Sequence, residues 1–291
     1  MATAATSTNL EQRRMTLASW AAVAACVLLV YSQTFFLLAK DWWTDDNYSH
    51  GLLLPVALGF LIHQERGSWQ RLSLKPSWVG IPLILFSQLV ALIGYLGAEF
   101  FLQRVSFAIF AAGVVVYVWG WKLLREVLLL IFLYLLTVPL PSIIFNQIAL
   151  PLQLFASTVS ENVLGWLSIP VFREGNILEL PNMTLSVAEA CSGIRSLMSL
   201  ITLAVMLAYF MPVRWKWRVL FVASAVPVAI ICNAARVAGT GILARHFGES
   251  AAQGFFHSFS GWLIFVLAFA LLTLEMAIIN KSAKRWKGLA A

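Results

Sequence analysis

Residues 259–279 read FSGWLIFVLAFALLTLEMAII, a run of full membrane-span length that carries one formal charge, Glu275. A spanning helix needs about 20 consecutive, mostly apolar residues, because the bilayer interior leaves no water to satisfy exposed backbone groups. Similar apolar runs occur at Leu17–Leu38, Leu52–His63, Val79–Gly97, Val105–Trp121, Val127–Phe145, Ile194–Met211 and Val219–Val237. The second is short, and either tilts little or begins as a partly buried loop at Tyr48. The whole chain of 291 residues is 60% hydrophobic and 11% charged, with a mean hydropathy of +0.84. Soluble domains run near 45–50% apolar and about 25% charged, so a soluble enzyme is excluded. The expectation is an all-α membrane protein, a polytopic bundle of about eight transmembrane helices. It forms a single integral membrane unit over 1–291, with residues 1–16 as a cytoplasmic tail and 280–291 as a basic cytoplasmic tail. The first apolar run is of span length and shows no small-residue cleavage site, so no cleavable signal peptide is expected.

The net charge is +7, from 20 Lys and Arg against 13 Asp and Glu. With both termini in the cytoplasm, the inner segments hold Arg13, Arg14, Arg66, Arg71, Lys75, Lys122, Arg125, Arg214, Lys216, Arg218, Lys281, Lys284, Arg285 and Lys287. The remaining basic residues are Lys40, Arg104, Arg173, Arg195, Arg236 and Arg245, and Asp41, Asp45, Asp46, Glu99, Glu161, Glu174, Glu179, Glu189 and Glu249 fall outside with them. That basic asymmetry is the positive-inside pattern of an inner-membrane protein. It accounts for the charge without nucleic acid as a partner. The three cysteines, Cys26, Cys191 and Cys232, are scattered and form neither a disulfide framework nor a metal-ligand spacing.

The longest stretch outside the spans is the insert 146–191. Ile148, Leu152, Phe155, Val159, Val163 and Trp166 recur at three- and four-residue intervals, which predicts an extracytoplasmic amphipathic helix over 146–168, ended by Pro170. From Val171 to Val187 the period shortens around Glu174-Gly175-Asn176 and Pro181-Asn182, predicting a small β-hairpin before the sixth span.

Charged and nucleophilic side chains near membrane depth are expensive and therefore functional candidates. Cys191 and Arg195 stand at the outer end of the sixth span, Arg236 near the outer end of the seventh, and His257 at the start of the eighth. Alternating helix direction puts a thiol, a guanidinium and an imidazole at one depth. A cationic neighbour favours the reactive thiolate. A guanidinium can hold an oxyanion, and an imidazole can move the proton. Gly193 permits close backbone approach, and Cys191 lies near a helix N-terminus. This chemistry needs neither a metal nor an organic cofactor. The plainer readings are equally specific. Arg195 and Arg236 act as snorkelling anchors, His257 as an interfacial histidine, Cys26 and Cys232 as small hydrophobes, and Arg245 and His246 as solvated loop residues.

The block Glu189-Ala190-Cys191-Ser192-Gly193-Ile194-Arg195, followed by Asn233-Ala234-Ala235-Arg236-Val237 and then His257, resembles the exosortase/archaeosortase family. Tyr48-Ser49-His50-Gly51 and Phe172-Arg173-Glu174-Gly175-Asn176 are similar to further segments of that family, and the likeness runs from about Trp42 to the end of the eighth span. The resemblance implies a membrane-embedded cysteine protease or transpeptidase. Its substrates would be the C-terminal tails of exported, membrane-tethered proteins, built from a Pro-Glu-Pro motif, a transmembrane helix and a basic cluster. It implies Cys191 as nucleophile with Arg236 and His257 as catalytic partners, and Arg195, Asn233, Gly193 and His50 in supporting roles. Archaeal relatives carry arginine in the third place, so His257 points to the bacterial branch. The acceptor is left open between water and an amine or hydroxyl of an envelope lipid or glycan. A different reading is a transporter for an anionic solute, or a polysaccharide-export component, with Arg195 and Arg236 in a polar path. It predicts an inverted repeat between the chain halves, and none is evident.

Overall fold

A computed structural model describes residues 25, 27–181, 183–187, 193–248 and 255–289. They fall into two compact units, one from residues up to Asp45 and Gly51–Val138, the other from Asp46–His50 and the chain after Pro139.

The first unit is helical. Helix α1 covers 27–44, α2 Leu54–Trp69, α3 Gly80–Leu96, α4 Phe100–Val118 and α5 Trp121–Leu136. A 3-10 turn, Ser49–Leu53, leads into α2, which accounts for the irregular start expected near Tyr48. Glycines let α3 and α4 approach closely, as small residues do between membrane helices. A Cβ on Gly80 would lie 2.5 Å from the Gly113 carbonyl and the Tyr117 backbone, and one on Gly113 would lie 2.9 Å from Ile84. The tight turn between them ends at Glu99, whose carboxylate accepts from the Phe101 N–H at 3.3 Å and caps α4.

Two polar features hold this unit together. Arg104, only 5% exposed within α4, donates from Nη2 to Asp41 Oδ2 on α1 at 2.5 Å. Its backbone carbonyl accepts from the Tyr134 hydroxyl at 3.0 Å. Trp42 Nε1 donates to the Thr137 carbonyl at 2.9 Å, and Tyr31, Phe35, Phe107 and Tyr134 make edge-to-face and tilted ring contacts.

In the second unit, α6 runs Ser142–Trp166, α7 Ile194–Phe210, α8 Trp215–Phe247 and α9 Phe255–Leu289. Strands β1 (Phe172–Glu174), β2 (Ile177–Leu180) and β3 (Met183–Ser186) form an antiparallel sheet in the order β1-β2-β3, with Arg173 opposite Leu178 and Leu178 opposite Leu185. Leu178, Leu180 and Leu185 face inward and pack with Leu164 of α6 and Ala234, Val237 and Ala244 of α8. The sheet therefore rests on the half of α8 that carries Arg236. Further along, Leu197, Leu200, Ala204 and Ala208 of α7 meet Phe221, Ala225, Ala229 and Cys232 of α8 and Ala268 and Leu272 of α9. Ser224 of α8 donates to Glu275 Oε2 of α9 at 2.7 Å, which gives the charge in the opening apolar run an intramolecular partner. Arg218 donates from Nε and Nη2 to the Met211 carbonyl at 3.1 and 2.7 Å, closing the α7–α8 turn.

The protein is thus an all-α, multi-pass membrane protein with a small sheet. Helices Phe100–Val118, Ser142–Trp166, Trp215–Phe247 and Gly261–Ala283 are long and apolar enough to cross a membrane, and Gly80–Leu96 and Ile194–Phe210 are shorter apolar helices. Several boundaries differ from the sequence reading. The apolar run 127–145 is not one helix, because the segment with Pro139 and Pro141 separates α5 from α6. The helix expected over 146–168 starts at Ser142, accommodates Pro151 and is apolar enough to span. The hairpin is a three-stranded meander. Arg245 and His246, expected in a loop, are exposed residues of the last turn of α8.

Asp41→Ala leaves the Arg104 guanidinium buried without its carboxylate. The expected cost is about 3–5 kcal/mol, read as a lower thermal transition of the detergent-solubilised protein, while Arg104→Met with Asp41→Leu recovers most of the loss. Gly80→Leu forces α3 off α4, with an expected cost of about 1–3 kcal/mol in the same assay.

Candidate functional site

The described part of the site is built where α7 begins. Gly193 precedes the helix at φ +60°, a conformation open to glycine and costly for other residues, and its carbonyl accepts the first helical bond from the Leu197 N–H at 3.0 Å. A Cβ there would lie 2.9 Å from Asn233 Nδ2, so the absence of a side chain also lets Asn233 of α8 approach the backbone. Asn233 is 4% exposed, and its Oδ1 accepts from Arg236 Nη2 at 3.2 Å. This bond orients the amide, with its oxygen toward the arginine and its nitrogen toward Gly193.

Arg236 Nη1 lies against α9, 3.3 Å from where a Cβ on Gly261 would sit. Arg236 Nε is buried and has no hydrogen-bond partner among the described residues, and no carboxylate pairs with the guanidinium there. A buried donor left unpaired is costly, and such donors are rare in native proteins. Leu152, Gly193, Leu197, Ala229, Ile230 and Asn233 line a crevice with a volume of about 10 Å³, room for one water molecule.

Arg195, exposed on the first turn of α7, pairs with Asp46 Oδ2 at 2.9 Å. His50 Nδ1 lies 3.5 Å from Ser199 Oγ on the next turn of the same helix. The Tyr48 hydroxyl accepts from the Leu140 N–H at 2.9 Å, so the segment 46–50 is tied to α7 and to the start of the unit's main chain. Of the residues singled out from the sequence, Gly193 and Arg236 thus each touch Asn233. Arg195 and His50 lie along α7 with partners of their own. His257 belongs to α9, four residues before Gly261 in the chain. Cys191 and Cys26 lie outside the described residues. Cys232 is buried among Ala229, Ala268 and Leu272.

Sequence reasoning missed the partner of Arg195. Asp46 reads as one of two solvated loop acids, and nothing local marks it as the counter-ion of a residue far along the chain. Asp41 with Arg104 and Glu161 with Arg173 (2.6 Å) escaped for the same reason. All three pairs nonetheless join an arginine and an acid assigned to the same side of the membrane.

Arg236 is half-buried, with Nη2 bonded to Asn233 and Nε without a partner among the described residues, and comparison with known proteins assigns the class of the multi-pass helical protein that holds it. Residues 42–274 match the profile of the transmembrane exosortase family (Exosortase_EpsH), and the chain belongs to that family. No curated protein and no solved structure matches the chain.

Gly193→Ala introduces a side chain at positive φ against Asn233, with an expected destabilisation of about 1–3 kcal/mol in thermal unfolding. The Asp46–Arg195 pair is exposed at 74% and 51%, so Asp46→Ala shifts stability by no more than about 1 kcal/mol in that measurement.

Proposed function

We propose that the protein is a cysteine protease or transpeptidase that cleaves C-terminal sorting tails of exported proteins at the extracytoplasmic face of a bacterial inner membrane, with both of its own termini cytoplasmic. The observation that carries this reading is the contact series Gly193–Asn233–Arg236–Gly261. It links the start of α7, two residues after Cys191 in the chain, to Gly261 of α9, four residues after His257 in the chain. Successive Cα atoms are 3.8 Å apart, so the chain itself keeps Cys191 within about 8 Å of Gly193. Membership of the exosortase family supports the same chemistry.

In the proposed reaction His257 takes the proton of the Cys191 thiol. The thiolate attacks the backbone carbonyl carbon beside the Pro-Glu-Pro motif, and the carbonyl oxygen becomes an oxyanion. Arg236 stabilises that charge, and its unpaired Nε is a donor already desolvated and in place. Asn233 orients Arg236 through Oδ1, and its Nδ2, which faces Gly193, offers a second donor. Collapse breaks the C–N bond, and His257 returns the proton to the leaving amine, which departs as the tail helix with its basic cluster. The thioester on Cys191 is then resolved by water, or by an amine or hydroxyl of an envelope lipid or glycan. The three ion pairs that join same-side residues support the proposed orientation.

Co-expression with a reporter bearing a Pro-Glu-Pro sorting tail tests the assignment. Cys191→Ala accumulates at the wild-type level in the membrane and leaves the reporter full-length, whereas Cys232→Ala cleaves normally. Cleavage that persists in Cys191→Ala overturns the proposal. Arg236→Lys keeps the charge without the planar fork and loses about 100- to 1,000-fold in cleavage rate, the range seen when one oxyanion donor is removed.

A further inference from the structure

The first unit holds a polar cleft that the proposed chemistry does not use. Its volume is about 340 Å³, within the range of small-molecule sites, and it is lined by Tyr31, Gln33 and Thr34 of α1, Gln88 and Tyr95 of α3, and Gln103 of α4, with Val30, Ala91 and Leu92 as apolar walls. Three glutamines, two tyrosines and a threonine converge where membrane helices would ordinarily carry aliphatic residues. Part of their hydrogen-bonding capacity is used internally. Gln88 Nε2 donates to the Tyr31 hydroxyl at 3.2 Å, Gln103 Nε2 donates to the Gly94 carbonyl at 3.1 Å, and Ser106 Oγ lies 3.4 Å from the Tyr31 hydroxyl. The rest is unmet among the described residues. Gln88 Oε1 and Gln103 Oε1 accept nothing, and Gln33, Tyr95 and the Thr34 hydroxyl have no partner, although Thr34 is only 8% exposed. Gln33 and Tyr95 are exposed and Gln88 and Gln103 half-buried, so their free hydrogen-bonding groups are open to a ligand that enters the cleft.

The lining selects the ligand. Among the described residues no charged side chain lines the cleft, and the two charges beside it in sequence are already committed, Arg104 to Asp41 and Glu99 to the cap of α4. A phosphate would meet no cation there. Amides and hydroxyls that offer both donors and acceptors, with a tyrosine ring at the edge, match a polyhydroxylated neutral group. The exposed leucines Leu85, Leu89 and Leu92 continue along α3 from the cleft and provide a track for acyl chains. We propose that the cleft between α1, α3 and α4 binds the uncharged glycosyl headgroup of a membrane lipid.

The test is native mass spectrometry of the full-length protein released from nanodiscs holding equal amounts of monoglucosyldiacylglycerol, phosphatidylglycerol and diacylglycerol with matched chains. The wild type retains the glucosyl lipid about tenfold over either of the others. Gln88→Leu and Thr34→Val each lower that retention about tenfold, as expected for one lost hydrogen bond in a desolvated site, with an unchanged melting temperature. If Gln88→Leu also lowers the melting temperature, the near-isosteric Thr34→Val decides alone. Equal retention of the three lipids, preference for phosphatidylglycerol, or retention unaffected by Thr34→Val overturns the proposal. So does a photoreactive residue at position 33 that crosslinks to a polypeptide instead of the glycolipid.

Discussion

An arginine in an apolar helical bundle stays charged, so its surroundings have to supply what water would. Arg236 receives that support unevenly. Asn233 takes one guanidinium nitrogen, the absence of a side chain at Gly261 makes room for another, and Nε is left buried without an acceptor. The arrangement around it serves this one group. The sheet braces α8 from the side through Ala234 and Val237, and the glycine at the start of α7 lets the asparagine come close. A fully paired arginine would be a structural rivet. One with a spare donor keeps bonding capacity for a further acceptor.

The other arginines on the same nominal side show the contrast. Arg104 is as deeply placed as any charge in the chain, and it is neutralised by Asp41 and surrounded by aromatic rings. Arg173 and Arg195 sit nearer the surface with Glu161 and Asp46. Burial alone therefore does not single out Arg236. What distinguishes Arg236 from the other arginines among the described residues is a buried Nε with no hydrogen-bond partner.

Much of this was legible in the residue pattern because the physics involved is local. Run length and composition announce membrane helices. The change of period at Val171 announces strands, and the Cys191, Asn233–Arg236 and His257 blocks announce a family that the comparison with known proteins bears out. The prolines were harder to weigh. Pro139 and Pro141 break a continuous apolar run, whereas Pro151 and Pro227 lie inside helices. Neighbouring helices decide between those outcomes, and they are not encoded nearby in the chain. The same holds for Asp41–Arg104 and Asp46–Arg195, whose partners are separated by many residues and by no recurring spacing. The extension of α8 through Arg245 escaped because hydropathy falls before the helix ends.

Arg218 illustrates a further point. It counts among the basic residues whose distribution reports orientation, and both of its guanidinium bonds to the Met211 carbonyl clamp the turn between α7 and α8. A residue of this kind carries two messages, one for the insertion machinery and one for the finished hairpin. Charge-swapping this loop to invert the protein would unlatch the turn at the same time, so misorientation and misassembly would arrive together. Lys216, one turn position away and without that latch, is the better place to separate them.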